Sequence, residues 1–266
     1  MLTASQLAQF NNDGYVVVKQ LFDEEEAELL RTAARQDPSI AQKALEREDG
    51  EGGKSKITLW NDEDDGLLSM YSRCERMATS ADQILGDEAY HWHSKMMQKE
   101  PFVGGAWIWH QDYGYWYNDT CLFPQLVSCF IAIDPSTKEN GCLQVLKGSH
   151  HLGRIDHIRV GQQTGADPER CKEAEKHCPL EYVTMEPGDA LWFHSNLLHR
   201  SDQNTSPNPR WALICCYNAK RNSPYGKSNH PCYTPMRRVA DSAIKETGLK
   251  WRRQLRNGSW MPAPLL

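Results

Sequence analysis

No stretch of this sequence approaches the roughly 20 consecutive apolar residues of a membrane-spanning helix, which excludes a helical membrane protein. Positive charge is not in excess either: 30 Lys and Arg stand against 35 Asp and Glu, a formal net charge of −5. A nucleic-acid or anionic-membrane partner needs a basic face, so neither is expected. The opening residues, MLTASQLAQFNNDG, contain no basic segment followed by an apolar one. No secretory signal is read there, and a cytoplasmic protein is expected. Paired cysteine motifs are missing as well. The 9 cysteines are odd in number, none form C-x-x-C, and Cys215 and Cys216 are adjacent. Free thiols in a reducing compartment, serving as small core residues, fit this better than a disulfide framework. The sequons at Asn118, Asn204 and Asn257 then carry no meaning.

What is present is a globular composition, with 39% hydrophobic and 24% charged residues over 266 positions. No internal repeat or linker divides it, so a single domain over 1–266 is expected. Its parts are a helical flank and loop over 1–89, a β core over 90–220 and a C-terminal segment over 221–266. Thr3 and Gln6 form a capping box that opens a helix ended by Gly14, and Tyr15–Val18 is strand-like. Asp23 and Glu26 repeat the signal before a helix over Glu24–Arg35. Residues 48–66 predict a mobile loop around a short Lys56–Trp60 strand, and Met70–Leu85 predicts one helix. From about Tyr90, short apolar runs alternate with turns: HWHSKMMQ, AWIWHQD, LVSCFIAID, CLQVLKGSH, LEYVTM, DALWFHS and RWALICCYN. This predicts a mainly β architecture with flanking helices, α+β, closed as a sandwich or barrel. The polar stretch 161–179 reads as a lid. The tail from Trp251, with Arg252, Arg253 and Arg256, reads as a solvated surface segment.

The chemistry concentrates in His110-Gln111-Asp112, His199 and Arg210. On a strand, residues i and i+2 share a face, so His110 and Asp112 converge while Gln111 points away. His199 supplies a third ligand, because the turn Glu186-Pro-Gly-Asp189 and the apolar run after it carry it back towards the same mouth. His194, its nearest competitor, reads as a structural histidine. His91, His93, His150, His151 and His157 read as hydrogen-bonding or surface residues. Two imidazoles and one carboxylate hold non-haem Fe(II) with positions left open. The same set also holds catalytic zinc. Arg210 and the Ser201 hydroxyl favour iron, since an arginine fork matches the far carboxylate of an oxo-diacid bound beside the metal. A surface role for Arg210, after the turn Ser206-Pro-Asn-Pro209, is the plain alternative.

At this point the sequence resembles the phytanoyl-CoA dioxygenase family of Fe(II)/2-oxoglutarate oxygenases. The resemblance runs from FNNDGYVVVKQLF to about Tyr217. It rests on HQD at 110–112, ENGCLQVLKGSH at 139–150, EPGDALWFH at 186–194, and HRS…R from His199 to Arg210. It implies a double-stranded β-helix, a jelly roll of cupin type, with His110, Asp112 and His199 on iron. It implies that Arg210 and Ser201 bind 2-oxoglutarate, that Phe130 borders it, and that Lys56 and Gln98 lie near further co-substrate contacts. The family usually has proline before the second glycine of its PGSH turn; here the turn is Lys147-Gly148-Ser149-His150. A carboxylate at 112 implies hydroxylation or a related oxidation, since a halogenating relative needs a small residue there. Dioxygen is the oxidant the resemblance implies, with succinate and CO2 as products.

For the substrate, Tyr113-Gly-Tyr-Trp-Tyr117 follows the metal motif, and about half of its aromatics face a pocket if they alternate as on a strand. Trp116 matches by spacing a substrate-facing tryptophan in the family's ectoine hydroxylase branch. Tyr113, Tyr115 and Asn218 join it as candidate contacts, with Arg221, Asn222 and Tyr225 behind. No basic groove awaits coenzyme A phosphates, so a small polar or zwitterionic metabolite is expected. Desaturation or epoxidation at the same iron, acyl-CoA hydroxylation, and a non-catalytic metabolite-binding barrel remain as alternatives. Oligomeric state is left open.

Overall fold

Local signals build the N-terminal third of the protein, whose computed structural model describes residues 1–256. Thr3 accepts from the Gln6 amide at 3.2 Å and the Gln6 side chain accepts from the Thr3 amide at 2.8 Å. Helix α1 (Ala4–Asp13) therefore begins with both halves of a capping box made. It stops at Gly14, whose φ of 83° is the left-handed conformation glycine adopts without strain. Strand β1 (Tyr15–Val18) follows, then α2 (Glu24–Gln36), capped reciprocally by Asp23 and Glu26, and the short α3 (Pro38–Gln42).

The stretch expected as a mobile loop is mostly a hairpin: β2 (Leu45–Glu48) pairs antiparallel with β3 (Lys54–Trp60). Asp49 closes its turn by accepting from the Glu51 and Gly53 amides at 2.8 and 2.9 Å. The helix expected over 70–85 is two, α4 (Leu67–Arg73) and α5 (Glu75–Leu85). Cys74 between them has an extended ψ of 154°. Its neighbours bond to a distant segment instead, the Glu75 amide to the Val239 carbonyl at 2.9 Å and the Val239 amide to the Arg73 carbonyl at 3.1 Å.

Beyond residue 88 strands dominate. They are β4 (Ala89–Lys99), β5 (Trp107–His110), β6 (Leu126–Ala132), β7 (Leu143–Leu146), β8 (His157–Val160), β9 (Gln163–Ala166), β10 (Leu180–Val183), β11 (Ala190–His194), β12 (His199–Ser201) and β13 (Arg210–Ala219). Each of the seven apolar runs contributes one strand. A seven-stranded sheet has the order β1-β11-β6-β13-β4-β3-β2, and a four-stranded sheet has the order β10-β7-β12-β5. Their pairings are antiparallel. This is the α+β jelly roll the sequence predicts.

Strand parity sorts side chains into two cores. Cys129, Ile131, Leu213 and Cys215 join Leu29, Leu30, Tyr71 and Met77 from the helices in one buried cluster. Phe130, Ile214 and Cys216, from the same two strands, pack in the other cluster with Val145 of the four-stranded sheet. The site lies on that inner side. Of the cysteines, seven are buried, Cys178 is half-buried, Cys232 is exposed, and all are free.

Three readings need correction. The residues after His110 form a short helix, α6 (Asp112–Trp116), and not a strand. The 161–179 stretch contains β9 and helix α7 (Pro168–His177). Cys171 and Ala174 of α7 are buried with Trp109, Leu146 and Leu198, so the helix is packed and is no free lid. The tail forms α8 (Ala243–Arg256), whose Ile244 and Trp251 are buried in the helix-side core. The sequon at Asn257 lies outside the described residues.

Candidate active site

The register of β12 sets His199 opposite His110 of β5, with ring centroids 4.0 Å apart. Each Nδ1 lies against a backbone carbonyl two residues back: His110 against Ile108 O at 2.8 Å, His199 against Leu197 O at 2.9 Å. With Nδ1–H donating there, the lone pair of each ring sits on Nε2. Asp112 converges on them from the first turn of α6, so a strand-to-helix turn brings it in, not strand alternation. Gln111 does turn away. Its side chain donates to Gly153 O and Asn196 O at 2.8 and 2.7 Å and accepts from the Ile155 amide at 2.7 Å. One ligand atom each from His110, Asp112 and His199 lies within 4.8 Å of the others, and all three residues are buried.

The electrostatics suit a cation. Ser128 Oγ donates to Asp112 Oδ2 at 2.7 Å, and Lys95 Nζ stands 3.7 Å from Oδ1. Burial opposes the charge of Asp112, but Lys95 foremost, with the histidines and the Ser128 hydroxyl, outweighs it and holds the carboxyl below its usual range. Burial, and after it the neighbouring His199, pushes the His110 imidazole well below its usual range. Burial lowers His199 too, against the pull of Asp112. Two neutral imidazoles and one carboxylate are the protonation states a divalent metal requires.

These residues open into a cavity of roughly 300 Å³ that Ser201, Phe130 and Arg210 also line. Arg210 is fully buried, not a surface residue. One Nη donates to Gly141 O at 2.9 Å, its Nε has no partner, and its guanidinium lies 5.6 Å from the Phe130 ring centroid. Burial lowers it to about 10, which leaves it a cation. Tyr115 and Trp116 line the cavity too, and the Tyr115 hydroxyl donates to Thr164 O at 2.6 Å.

Four expected contacts lie elsewhere. Lys56 and Gln98 are register partners on β3 and β4. The cavity takes their neighbours of opposite parity, Ile57, Leu59, Lys95 and Met97. Tyr113 turns to the far side of α6, where its hydroxyl donates to Cys121 O and Leu122 O at 3.1 and 2.8 Å. Asn218 donates to Tyr90 Oη and Asn222 O at 2.9 and 3.0 Å in the buried core. Conversely, Arg47, His93, Lys95, Asp119 and His230 line the cavity and were not expected there. His93 shares the parity of Lys95 and Met97 and faces inward by plain alternation, while a bulge acts on its neighbour. The register slips between Cys216 and Tyr217, which pair with His93 and His91, so Trp92 is the extra residue. Trp92 and His93 then both reach the inner side, where each ring meets that of His230.

The phytanoyl-CoA dioxygenase (PhyH) family pattern matches residues 10–212. This chain belongs to that family. Among its relatives, the L-proline trans-4-hydroxylase of Streptomyces griseoviridis is 31% identical over 198 residues, covering 67% of this chain and 71% of the relative. The ectoine dioxygenase of Bordetella bronchiseptica is 29% identical over 238 residues, covering 84% and 77%. In three dimensions the chain is similar to EctD from S. alaskensis, solved with 2-oxoglutarate and 5-hydroxyectoine and also with bound Fe. The TM-score is 0.74 at 25% identity, over 90% of this chain and 88% of that one. This member of the PhyH family is an Fe(II)- and 2-oxoglutarate-dependent dioxygenase. The donor set fits its cofactors: two Nε2 lone pairs and a carboxylate for the metal, and a buried guanidinium with an unpartnered nitrogen for the diacid.

Proposed function

We propose that this dioxygenase hydroxylates an unactivated C–H of a small zwitterionic metabolite. His110, Asp112 and His199 hold the iron, and Arg210 and Ser201 hold the distal carboxylate of 2-oxoglutarate beside Phe130. The observation that carries this reading is that one cavity of roughly 300 Å³ contains the three metal-ligand candidates, the buried arginine and an aromatic wall together. When bound, iron and 2-oxoglutarate supply the oxidising power from dioxygen, with succinate and CO2 as products.

The chain's own residues do the rest. The carbonyls of Ile108 and Leu197 fix the two imidazoles, and Ser128 with Lys95 fixes Asp112. Arg210 takes a carboxylate through charge-assisted hydrogen bonds, strengthened because water is excluded. Trp116 and Tyr115 wall the side where a substrate C–H lies. A space of this size suits a diacid and a small molecule, not a coenzyme A moiety. Among the described residues the rim is mixed in charge and not a basic groove: Arg47 and Arg159 stand beside Glu46 and Glu48, both engaged by Lys54. The free thiols support a cytoplasmic setting.

Anaerobic titration with Fe(II) and then 2-oxoglutarate tests the assignment. A weak visible charge-transfer band is expected, and it is lost in His110→Ala. A succinate-release screen tests the substrate class: turnover confined to acyl-CoA thioesters overturns it.

A further inference from the structure

The cavity has a second polar pole that none of these roles uses. His93 is 2% exposed and lines the cavity, yet neither of its ring nitrogens has a hydrogen-bond partner. His230 stacks on it at 4.6 Å between centroids and 28° between planes. His230 Nδ1 meets Asn61 Oδ1 at 3.1 Å, and its Nε2 faces Asp119 Oδ2 at 3.8 Å. Asp119 also lines the cavity. Its other oxygen accepts from the backbone and side-chain nitrogens of Asn229 at 3.1 and 3.0 Å.

We propose that His93, with Asp119 and His230 beside it, determines specificity by binding a protonated nitrogen of the substrate, an ammonium or amidinium. Two stacked imidazoles do not both carry charge, and burial keeps His93 neutral. A neutral imidazole has one free acceptor, which suits an N–H donor. Asp119 supplies the negative charge that such a donor needs. Trp116, 5.6 Å from the His93 ring, and Trp92, 4.7 Å from the His230 ring, add aromatic surface that attracts cations. Lys95 would repel a cation, but its own charge is matched by Asp112 at 3.7 Å. An exposed cation, Arg47, lines the same cavity, so a zwitterion binds nitrogen-first with its carboxylate towards Arg47.

This rests on the zwitterion reading above and deepens it. The test uses two probes of similar shape, pyrrolidinium and neutral cyclopentanol, titrated anaerobically into the Fe(II)- and 2-oxoglutarate-loaded protein. Tryptophan fluorescence is the readout, with Trp92 and Trp116 at the site. Saturable binding of pyrrolidinium is expected, at least about tenfold tighter than cyclopentanol, as one charge-assisted hydrogen bond provides. Asp119→Asn and His93→Leu each remove that preference, while His93→Gln, which keeps an acceptor, retains part of it. Equal binding of the two probes, no saturation by pyrrolidinium, or an unchanged preference in Asp119→Asn overturns the proposal. If His93→Leu does not fold, Asp119→Asn and His93→Gln decide. Absence of the charge-transfer band on loading counts against the metal and co-substrate assignment, and the same titration on the unloaded protein still reports on this pole.

Discussion

Arg210 shows what a single residue contributes when its surroundings are already committed. Its guanidinium is buried, one arm is spent on Gly141 O, and its Nε has no partner. Arg210→Ala removes a carboxylate fork but no metal ligand. The 2-oxoglutarate dissociation constant is expected to rise about 10- to 100-fold. Fe(II) affinity without co-substrate stays near wild type, and both are read by anaerobic titration; equal 2-oxoglutarate affinity would refute the role. At this scale the metal-ligand candidates were legible because the chemistry demands particular residue types in a particular spacing. Lys56 and Gln98 were misplaced because strand parity flips on a shift of one residue, and nothing in KSKITLW or HSKMMQK fixes that parity. His93 and Asp119 were missed for related reasons: His93 shares the inward parity of Lys95 and Met97, which the sequence leaves open, and Asp119 follows a helix read as a strand.

Elements explain why the site sits at a turn. Strand β5 stops at His110 and α6 starts at Asp112, and Gly114 lies where α6 passes His157. A Cβ at Gly114 would stand 1.9 Å from His157 Cε1, and His157 Nε2 accepts from the Gln111 amide at 3.0 Å. Gly114→Ala is therefore expected to push His157 off that amide and tilt the helix bearing Asp112. A stability loss of about 1–3 kcal/mol in thermal unfolding should accompany weakened Fe(II) binding. Unchanged values of both would show that the ring moves aside freely. The capped helices α1 and α2 were legible to within a residue because Thr3–Gln6 and Asp23–Glu26 are self-contained signals. The break at Cys74 was not, since Val239 makes it from 165 positions away. The Lys147 departure from the family's proline also has a local reason: the Lys147 amide donates to Pro179 O at 2.9 Å, a bond proline lacks.

For the whole molecule, the buried histidines set the acid limit. Burial lowers His91 to about 4, and burial followed by His150 lowers His194 to about 4, both from 6.5. Their folded-state values lie below the unfolded ones, so the unfolded chain binds more protons in that window. Stability from these groups is full above about 6.5 and is lost as pH falls towards about 4. Each contributes a slope near 1.4 kcal/mol per pH unit. Urea midpoints of the metal-free protein should fall steadily across that range, and less steeply in His91→Gln. A flat profile would mean these rings are solvated. Fold class was legible because seven apolar runs separated by turns leave few closed arrangements. Strand order was not, because neighbours such as β1 and β11 or β13 and β4 lie far apart in sequence and β12 is only three residues long.

The two sheets also divide the site between them. The two imidazoles hang on β5 and β12 of the four-stranded sheet, whereas Arg210 and Phe130 belong to β13 and β6 of the seven-stranded one. A diacid held as proposed, by the metal at one end and by Arg210 at the other, would be a removable rivet between the halves of the sandwich. Amide hydrogens of β5 and β12 should exchange more slowly once it is in place. The same molecule that supplies the oxidation would then also tie the two sheets together.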